Sequence, residues 1–291
     1  MKKNTGALIS GMAACLVIFG GCSGQASGSR TVFPDPIEIS TRAVLDTQSA
    51  SIVLPLDQYG MNEDEFQTVL AAQQIVFSQC VTGSATIPEA TRNVARDTLQ
   101  YRSPSQRWLY GFWDASYIAT HEWQTPPGDG VPLGEGLEVE PSKAKTCVAA
   151  QEYLDLFPVK VGYVGSSAGF DNLTMYSGQA FQRTVADSRF VTLMETRSKC
   201  IATAGYAITD DGSFNTIELD ASWNDEQTLK AVLVAAQCDD DENITQKAGD
   251  INATYQQQYV DANQAELTTI KKISDERVAK AEQILKDAGV M

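Results

Sequence analysis

Residues 245–288 read TQKAGDINATYQQQYVDANQAELTTIKKISDERVAKAEQILKDA, a run without a proline. Within it Ile251, Tyr255, Tyr259, Ala262, Ile270, Ile273, Val278, Ala281 and Leu285 recur with roughly a 3.6-residue period, the signature of an amphipathic helix. A single helix of that length measures about 66 Å at 1.5 Å per residue. Gly249 or the Thr268-Thr269 pair are the places where it is expected to break. The apolar stripe is narrow, with Gln, Glu and Lys elsewhere, so most of the rim is expected to face water while one seam packs on other helices.

Working back from this stretch, helices dominate. Asn62 precedes Glu63, Asp64 and Glu65, a cap followed by carboxylates that suit the positive end of a helix. Phe66, Val69, Leu70, Gln73, Val76, Phe77 and Cys80 follow at three-and-four spacing, and Gly83 ends the segment. Ser142 is placed to cap a helix from Lys143 through Cys147 and Tyr153 to Phe157, with Pro158 as its stop. Helical character resumes near Gly178 and is strong from Asp187 to Thr203, where Phe190, Leu193, Met194, Arg197 and Cys200 share a face. Asp210-Asp211-Gly212 is a turn, and Asn224 caps a helix carrying Leu229, Val232, Leu233, Ala236 and Cys238. Residues 159–164 alternate like a short strand, and residues 165–172 read as a loop. The expected class is mainly α: helical lobes, a little β-structure and a long C-terminal helix.

The amino end predicts export. Lys2 and Lys3 precede an apolar stretch from Ala7 to Phe19 that is short for a membrane span and ends in small residues, as a secretory signal does. Phe19-Gly20-Gly21-Cys22 resembles a lipobox, which places a lipid on Cys22 and the cut just before it. An ordinary cleaved signal with a chance cysteine is the competing reading. Ser23-Gly24-Gln25-Ala26-Ser27-Gly28-Ser29 follows, the kind of flexible tether an anchored protein needs. The expected organisation is therefore a signal peptide over 1–21, a lipid-anchored tether over 22–51, and an extracytoplasmic domain over 52–291. That domain is either single or divided into lobes 52–158 and 178–291.

Removing residues 1–21 from the 291 leaves 270, with 20 basic against 37 acidic residues and a formal charge of −17. Such a polyanion excludes nucleic acid as a partner and is repelled by anionic headgroups, which leaves the membrane attachment to the lipid on Cys22. Besides Cys15 and Cys22 the cysteines are Cys80, Cys147, Cys200 and Cys238. An even number in an oxidising compartment implies two disulfides, with three pairings open.

The chemical motifs are sparse. Gly165-Ser166-Ser167-Ala168-Gly169 fits the G-x-S-x-G spacing that holds a nucleophilic serine on a sharp strand-to-helix turn. The base must then be a histidine following Ser167, and the only histidine, His121, precedes it. Asp171 and Asn172 also favour a loop there over a helix start. His121-Glu122-Trp123 lacks the second histidine of a zinc protease motif. Asp239-Asp240-Asp241-Glu242 lacks the spacing and glycine of a calcium loop and reads as a solvated acidic run between helices. Trp108, Tyr110, Phe112, Trp113, Tyr117 and Trp123 are dense enough to line a pocket, although such rings more often fill a core. No catalytic residue, cofactor or metal ligand is expected.

Two stretches resemble a family of secreted proteins and lipoproteins from actinobacteria. The first is Arg107-Trp108-Leu109-Tyr110-Gly111 with Ala115, Tyr117 and His121. The second is Met194, Ser198-Lys199-Cys200 and Gly205-Tyr206, with Ala235-Ala236-Gln237-Cys238 and a long terminal helix after it. The likeness runs in blocks from Leu54 onward; Ile201 stands where the family's usual Met follows Cys200, and Gln237 stands where Asp is common. The layout implies pairings Cys80–Cys147 and Cys200–Cys238, each locking two neighbouring helices, in a protein at the outer face of the cell membrane. The expected function class is a non-enzymatic binding or accessory component of an envelope or transporter assembly, docking through the terminal helical face. A solute-binding lipoprotein is the alternative, and a serine hydrolase using Ser167 stands behind both.

Overall fold

A computed structural model describes residues 37–101, 109–120, 133–134, 137, 139–159, 171–209, 216–220 and 222–291. The chain is mainly α-helical, and Asp35–Met291 group as one compact unit. In order come β1 (Val44–Asp46), β2 (Ser51–Val53), a 3-10 turn (Asp57–Tyr59), α1 (Glu63–Thr82), α2 (Glu89–Gln100), α3 (Ala115–Thr120), α4 (Pro141–Val148) and α5 (Gln151–Leu154). They are followed by α6 (Asp171–Ala186), α7 (Ser188–Thr203), β3 (Ile208–Thr209), β4 (Thr216–Ile217), α8 (Asp225–Glu242), α9 (Ile244–Ala262) and α10 (Gln264–Asp287). The strands make two antiparallel pairs, β1 with β2 and β3 with β4.

Local chemistry sets several boundaries as expected. Asn62 accepts from the Glu65 N–H at 3.0 Å while the Glu65 carboxylate accepts from the Asn62 N–H at 2.8 Å, a reciprocal cap that starts α1. Gly83 ends α1 in the left-handed region at φ 67°. Asn224 and Gln227 make the same reciprocal cap on α8. The segment after Ser142 differs from expectation. Glu140 precedes Pro141, whose missing N–H suits the first helical position, while the Ser142 hydroxyl donates to Glu140 instead of capping. The helix then stops at Ala149 and restarts as α5, so one expected helix is two.

The terminal run is also two helices, and it breaks at Asn263 rather than at Gly249 or Thr268-Thr269. Asn263 Nδ2 donates to the Tyr259 carbonyl at 2.8 Å, a side chain competing for the helix ladder. Its Oδ1 accepts from the Tyr176 hydroxyl at 3.1 Å, which joins the corner to α6. Gly249 has a packing role: a Cβ there would lie 2.8 Å from that of Ala43. The expectation of a water-facing rim fails for α9. Thr245, Asn252, Thr254 and Gln256 are all buried beside its apolar positions, because α6, α7, α8 and the amino-terminal segment surround it.

The amino-terminal segment corrects the tether expected over 22–51, because its last part packs on α9. The Ser40 and Thr41 N–H groups both approach Thr254 Oγ1 at 3.3 Å, the Ala43 N–H donates to Asp250 at 2.9 Å, and Gln246 donates to the Ala43 carbonyl. Residues 40–53 therefore belong to the domain. Residues 22–36, with Cys22, the residue expected to carry the lipid, lie outside the described residues, as do residues 1–21, expected to be the signal.

One core gathers α1, α2 and α10 around Leu56, Val69, Ile75, Leu156, Leu267 and Leu285. The second gathers β2, the aromatic residues before and within α3, and α7 around α9, through Ile52, Tyr110, Trp113, Phe190 and Tyr255. Since α1 packs on α10, the candidate lobes 52–158 and 178–291 are tied into a single body.

Candidate functional site

The most heavily buried cation among the described residues is Arg197, on the inner face of α7 among Phe190, Met194 and Ile201. A cation on a core face requires partners, because an unpaired buried charge is prohibitively costly. Its Nη1 donates to the Tyr110 carbonyl and lies 3.4 Å from Asp239 Oδ2; its Nη2 is 3.3 Å from Met194 Sδ. Asp239 sits in the last turn of α8, also buried, and is completed from α9 by the Thr245 N–H at 2.9 Å and hydroxyl at 3.0 Å. The sharp α8–α9 junction makes this reach available, with Asn243 in the left-handed region at φ 56°.

Residues 109–114 form a strap over this pair. Gly111, at φ 111°, has no side chain where the guanidinium lies: a Cβ would stand 2.5 Å from Arg197 Nη1. The Tyr110 hydroxyl accepts from Asn252 Nδ2 at 2.7 Å. The strap ends at Asp114, itself at φ 56°, whose Oδ1 accepts from the Tyr117 N–H at 2.9 Å. Asp240 then accepts from the Asp114 and Ala115 N–H groups at 3.3 and 3.1 Å. Successive carboxylates on α8 thus face opposite tasks, one toward Arg197 and one toward the strap backbone.

Burial pushes the Asp239 carboxyl up to about 6, against the Thr245 N–H and Arg197, which both favour its ionised form; neighbouring Asp240 adds to the rise. Burial likewise pulls Arg197 below its usual value despite Asp239, and the guanidinium remains a cation at any physiological pH. Burial lifts the Tyr110 hydroxyl far above the ordinary phenol range. The arrangement ties α7, α8, α9 and residues 109–114 to one another.

Beyond the strap an open cleft of about 590 Å3 is lined by Thr47 and Gln48 from the β1–β2 turn and by Asp114, Ser116, Tyr117 and Thr120. Its lining combines hydroxyl, amide and carboxylate groups with the Tyr117 ring, polar and apolar surface in about equal parts, a mixture that offers both hydrogen bonds and a contact face to a small solute.

The acidic run was expected to be solvated. Only Asp239 departs, buried against Arg197; Asp240, although it accepts from the strap backbone, is exposed, as are Asp241 and Glu242. The sequence signal that would have found this pair is the arginine on the apolar face of α7. The aromatic cluster behaves as core where described, since Tyr110, Trp113 and Tyr117 are buried. Ser167, His121, Trp108 and Trp123 lie outside the described residues. Asp171 and Asn172, expected in a loop, begin α6. Cys80 pairs with Cys147 and Cys200 with Cys238, at Cα separations of 5.7 and 5.8 Å. The first joins α1 to α4 and the second α7 to α8. No cluster of metal-ligating side chains occurs among the described residues, and no helix there is long and apolar enough to cross a membrane.

Fold and site together define a disulfide-stapled, mainly helical domain organised around a buried arginine–aspartate pair. Compared with known proteins, the chain matches no family model, no curated protein and no solved structure.

Proposed function

We propose that the chain is an extracytoplasmic lipoprotein, held to the membrane through Cys22, that serves as a non-enzymatic binding or accessory component of an envelope or transporter assembly. The observation that carries this reading is the pairing of all four cysteines of the domain into two disulfides. Such bonds persist in oxidising compartments, which agrees with a sequence that opens with a signal and a lipobox-like Phe19-Gly20-Gly21-Cys22. α9 and the seam of α10 are spent on the domain's own core, so docking through the terminal helices falls to the outer face of α10. Deleting residues 245–291 would therefore remove the core, and partner mapping needs surface substitutions. The test is fractionation of intact cells with Cys22 and with Cys22→Ser, followed by crosslinking. The anchored form should sediment with membranes and the variant should not. An unmodified amino end on native Cys22 protein, seen by intact mass spectrometry, would sink the anchor; equal crosslinked products from both forms would sink an anchor-dependent partner.

A second reading, a solute-binding lipoprotein, draws on the polar cleft beside α3. Sugars, amino acids and short peptides should then raise the melting temperature by several degrees for at least one class, and a flat screen removes this reading.

A further inference from the structure

We propose that the cleft beside α3 binds a small cationic solute, an ammonium or guanidinium group on an apolar stem, with the Asp114 carboxylate as its counter-ion. The proposal rests on the solute-binding reading and names the ligand class. The lining sets the charge. Of the described lining residues Thr47, Gln48, Asp114, Ser116, Tyr117 and Thr120, only Asp114 is charged, and no lysine or arginine is among them. Two further carboxylates stand behind the walls. Asp240 accepts from the Asp114 and Ala115 N–H groups on one side, and Asp46 accepts from the Gln48 N–H at 2.9 Å on the other. A cleft bordered in this way, in a chain of net charge −15, concentrates cations. A neutral polyol reaches the same hydrogen-bonding groups but neutralises none of the carboxylates, and an anion is repelled by them.

Asp114 is placed to pair with such a cation. Its Oδ1 accepts from the Tyr117 N–H at 2.9 Å, whereas its buried Oδ2 has no hydrogen-bond partner among the described residues. A buried carboxylate oxygen without a donor is costly, and a cationic N–H supplies the charge-assisted bond that is missing. Asp114 is partly exposed at the cleft, so a small turn of the carboxylate about its Cβ–Cγ bond presents that oxygen to a ligand. The Tyr117 ring offers the stem an apolar contact. Both walls are braced before any ligand arrives. Asp114 is held by Asp240 and by its own cap on α3. The opposite turn is fixed by Asp46, which accepts from the Ser49 hydroxyl at 2.6 Å, and by the Ser49–Ser51 hydroxyl pair at 2.7 Å; Ala43 ties this ribbon to Asp250 of α9. Preformed walls reduce the ordering cost of binding.

Titration calorimetry of the full chain tests this at about 0.15 M ionic strength, where diffuse surface attraction is largely screened. Agmatine and 1,5-diaminopentane are the cationic probes, glucose the neutral one and glutamate the anionic one. At least one amine should bind saturably, and glucose and glutamate should not. Asp114→Asn keeps an acceptor for the Tyr117 N–H and tolerates the left-handed backbone, so it should fold as the parent does and weaken amine binding about tenfold or more. Asp275→Asn, which removes an exposed carboxylate from α10, should leave that binding unchanged. Unchanged affinity in Asp114→Asn, or an equal loss in both variants, would mean general attraction to a polyanion and overturn the site. Binding of glucose or glutamate with neither amine bound overturns the ligand class and leaves the solute-binding reading standing. Silence from all four probes overturns the ligand class, and a flat melting screen besides removes the solute-binding reading with it.

Discussion

Gly111 presents its bare backbone to the guanidinium of Arg197, so closely that a Cβ would stand 2.5 Å from Nη1. The strap can approach a buried cation only because this position has no side chain. Gly111→Ala should cost about 2–4 kcal/mol in urea denaturation, from a left-handed backbone combined with displacement of a packed charge. Gly205→Ala separates the two causes: Gly205 has φ 89° but nothing within 4 Å of its notional Cβ. A loss at Gly111 no larger than at Gly205 would show that contact with Arg197 contributes nothing.

The two disulfides enclose sequence separations of 67 and 38 residues. Removing either pair by double Cys→Ala substitution should lower stability by about 4 kcal/mol on the chain-entropy estimate, nearly the same for both since the dependence on loop length is logarithmic. Thermal unfolding of each double variant checks this. Non-reducing peptide mapping should find Cys80 with Cys147 and Cys200 with Cys238, and a peptide joining Cys147 to Cys200 would refute the pairing.

Asp187, the cap of α7, titrates with the opposite sign to Asp239. Burial alone would raise its carboxyl, but the side chain and N–H of Arg189 and the Tyr255 hydroxyl outweigh this and hold it below the ordinary 3.8. A depressed folded value means stability that is present above the unfolded pKa and lost as pH falls through the folded one. Asp187→Asn should therefore destabilise the protein at pH 7, by about 1–3 kcal/mol given that Arg189 is partly exposed. The gap between variant and parent should narrow below about pH 4, as the parent's own carboxylate takes up its proton. A gap of constant size down to pH 2 would exclude the assigned role.

Ser274 lies fully buried on α10, and its hydroxyl has no hydrogen-bond partner among the described residues. Ser274→Ala removes an unsatisfied polar atom and improves helix propensity, so it should stabilise the domain by about 1 kcal/mol. A destabilising result in chemical denaturation would reveal a hydrogen bond that the side chain makes in solution.

The helices carrying strong terminal signals were legible before any coordinates. Asn62 with Glu65, Gly83, Asp187 and Asn224 act through hydrogen bonds spanning a few residues, so local sequence suffices to place them. Where signals were weak, the reading failed. Residues 89–100 form α2 with no side-chain cap at Pro88, and the boundary at Asn263 depends on Tyr176 from α6. The candidate site was only half visible. Arg197 stood on an apolar face, but its anion is 42 residues away on another helix.

By itself, the order of residues determined that this chain is mainly helical, where three of its helices begin, and that it carries four cysteines suited to pairing. Only tertiary structure decided that the terminal run bends at Asn263 and becomes a central core helix, that residues 40–53 belong to the domain, and that Asp239 faces Arg197 instead of water. The physical reason is range. Caps and periodicity are settled within one or two turns of chain, whereas desolvation of a charge, burial of a polar face and the packing of residues 109–114 against Arg197 depend on which distant segments arrive at the same place.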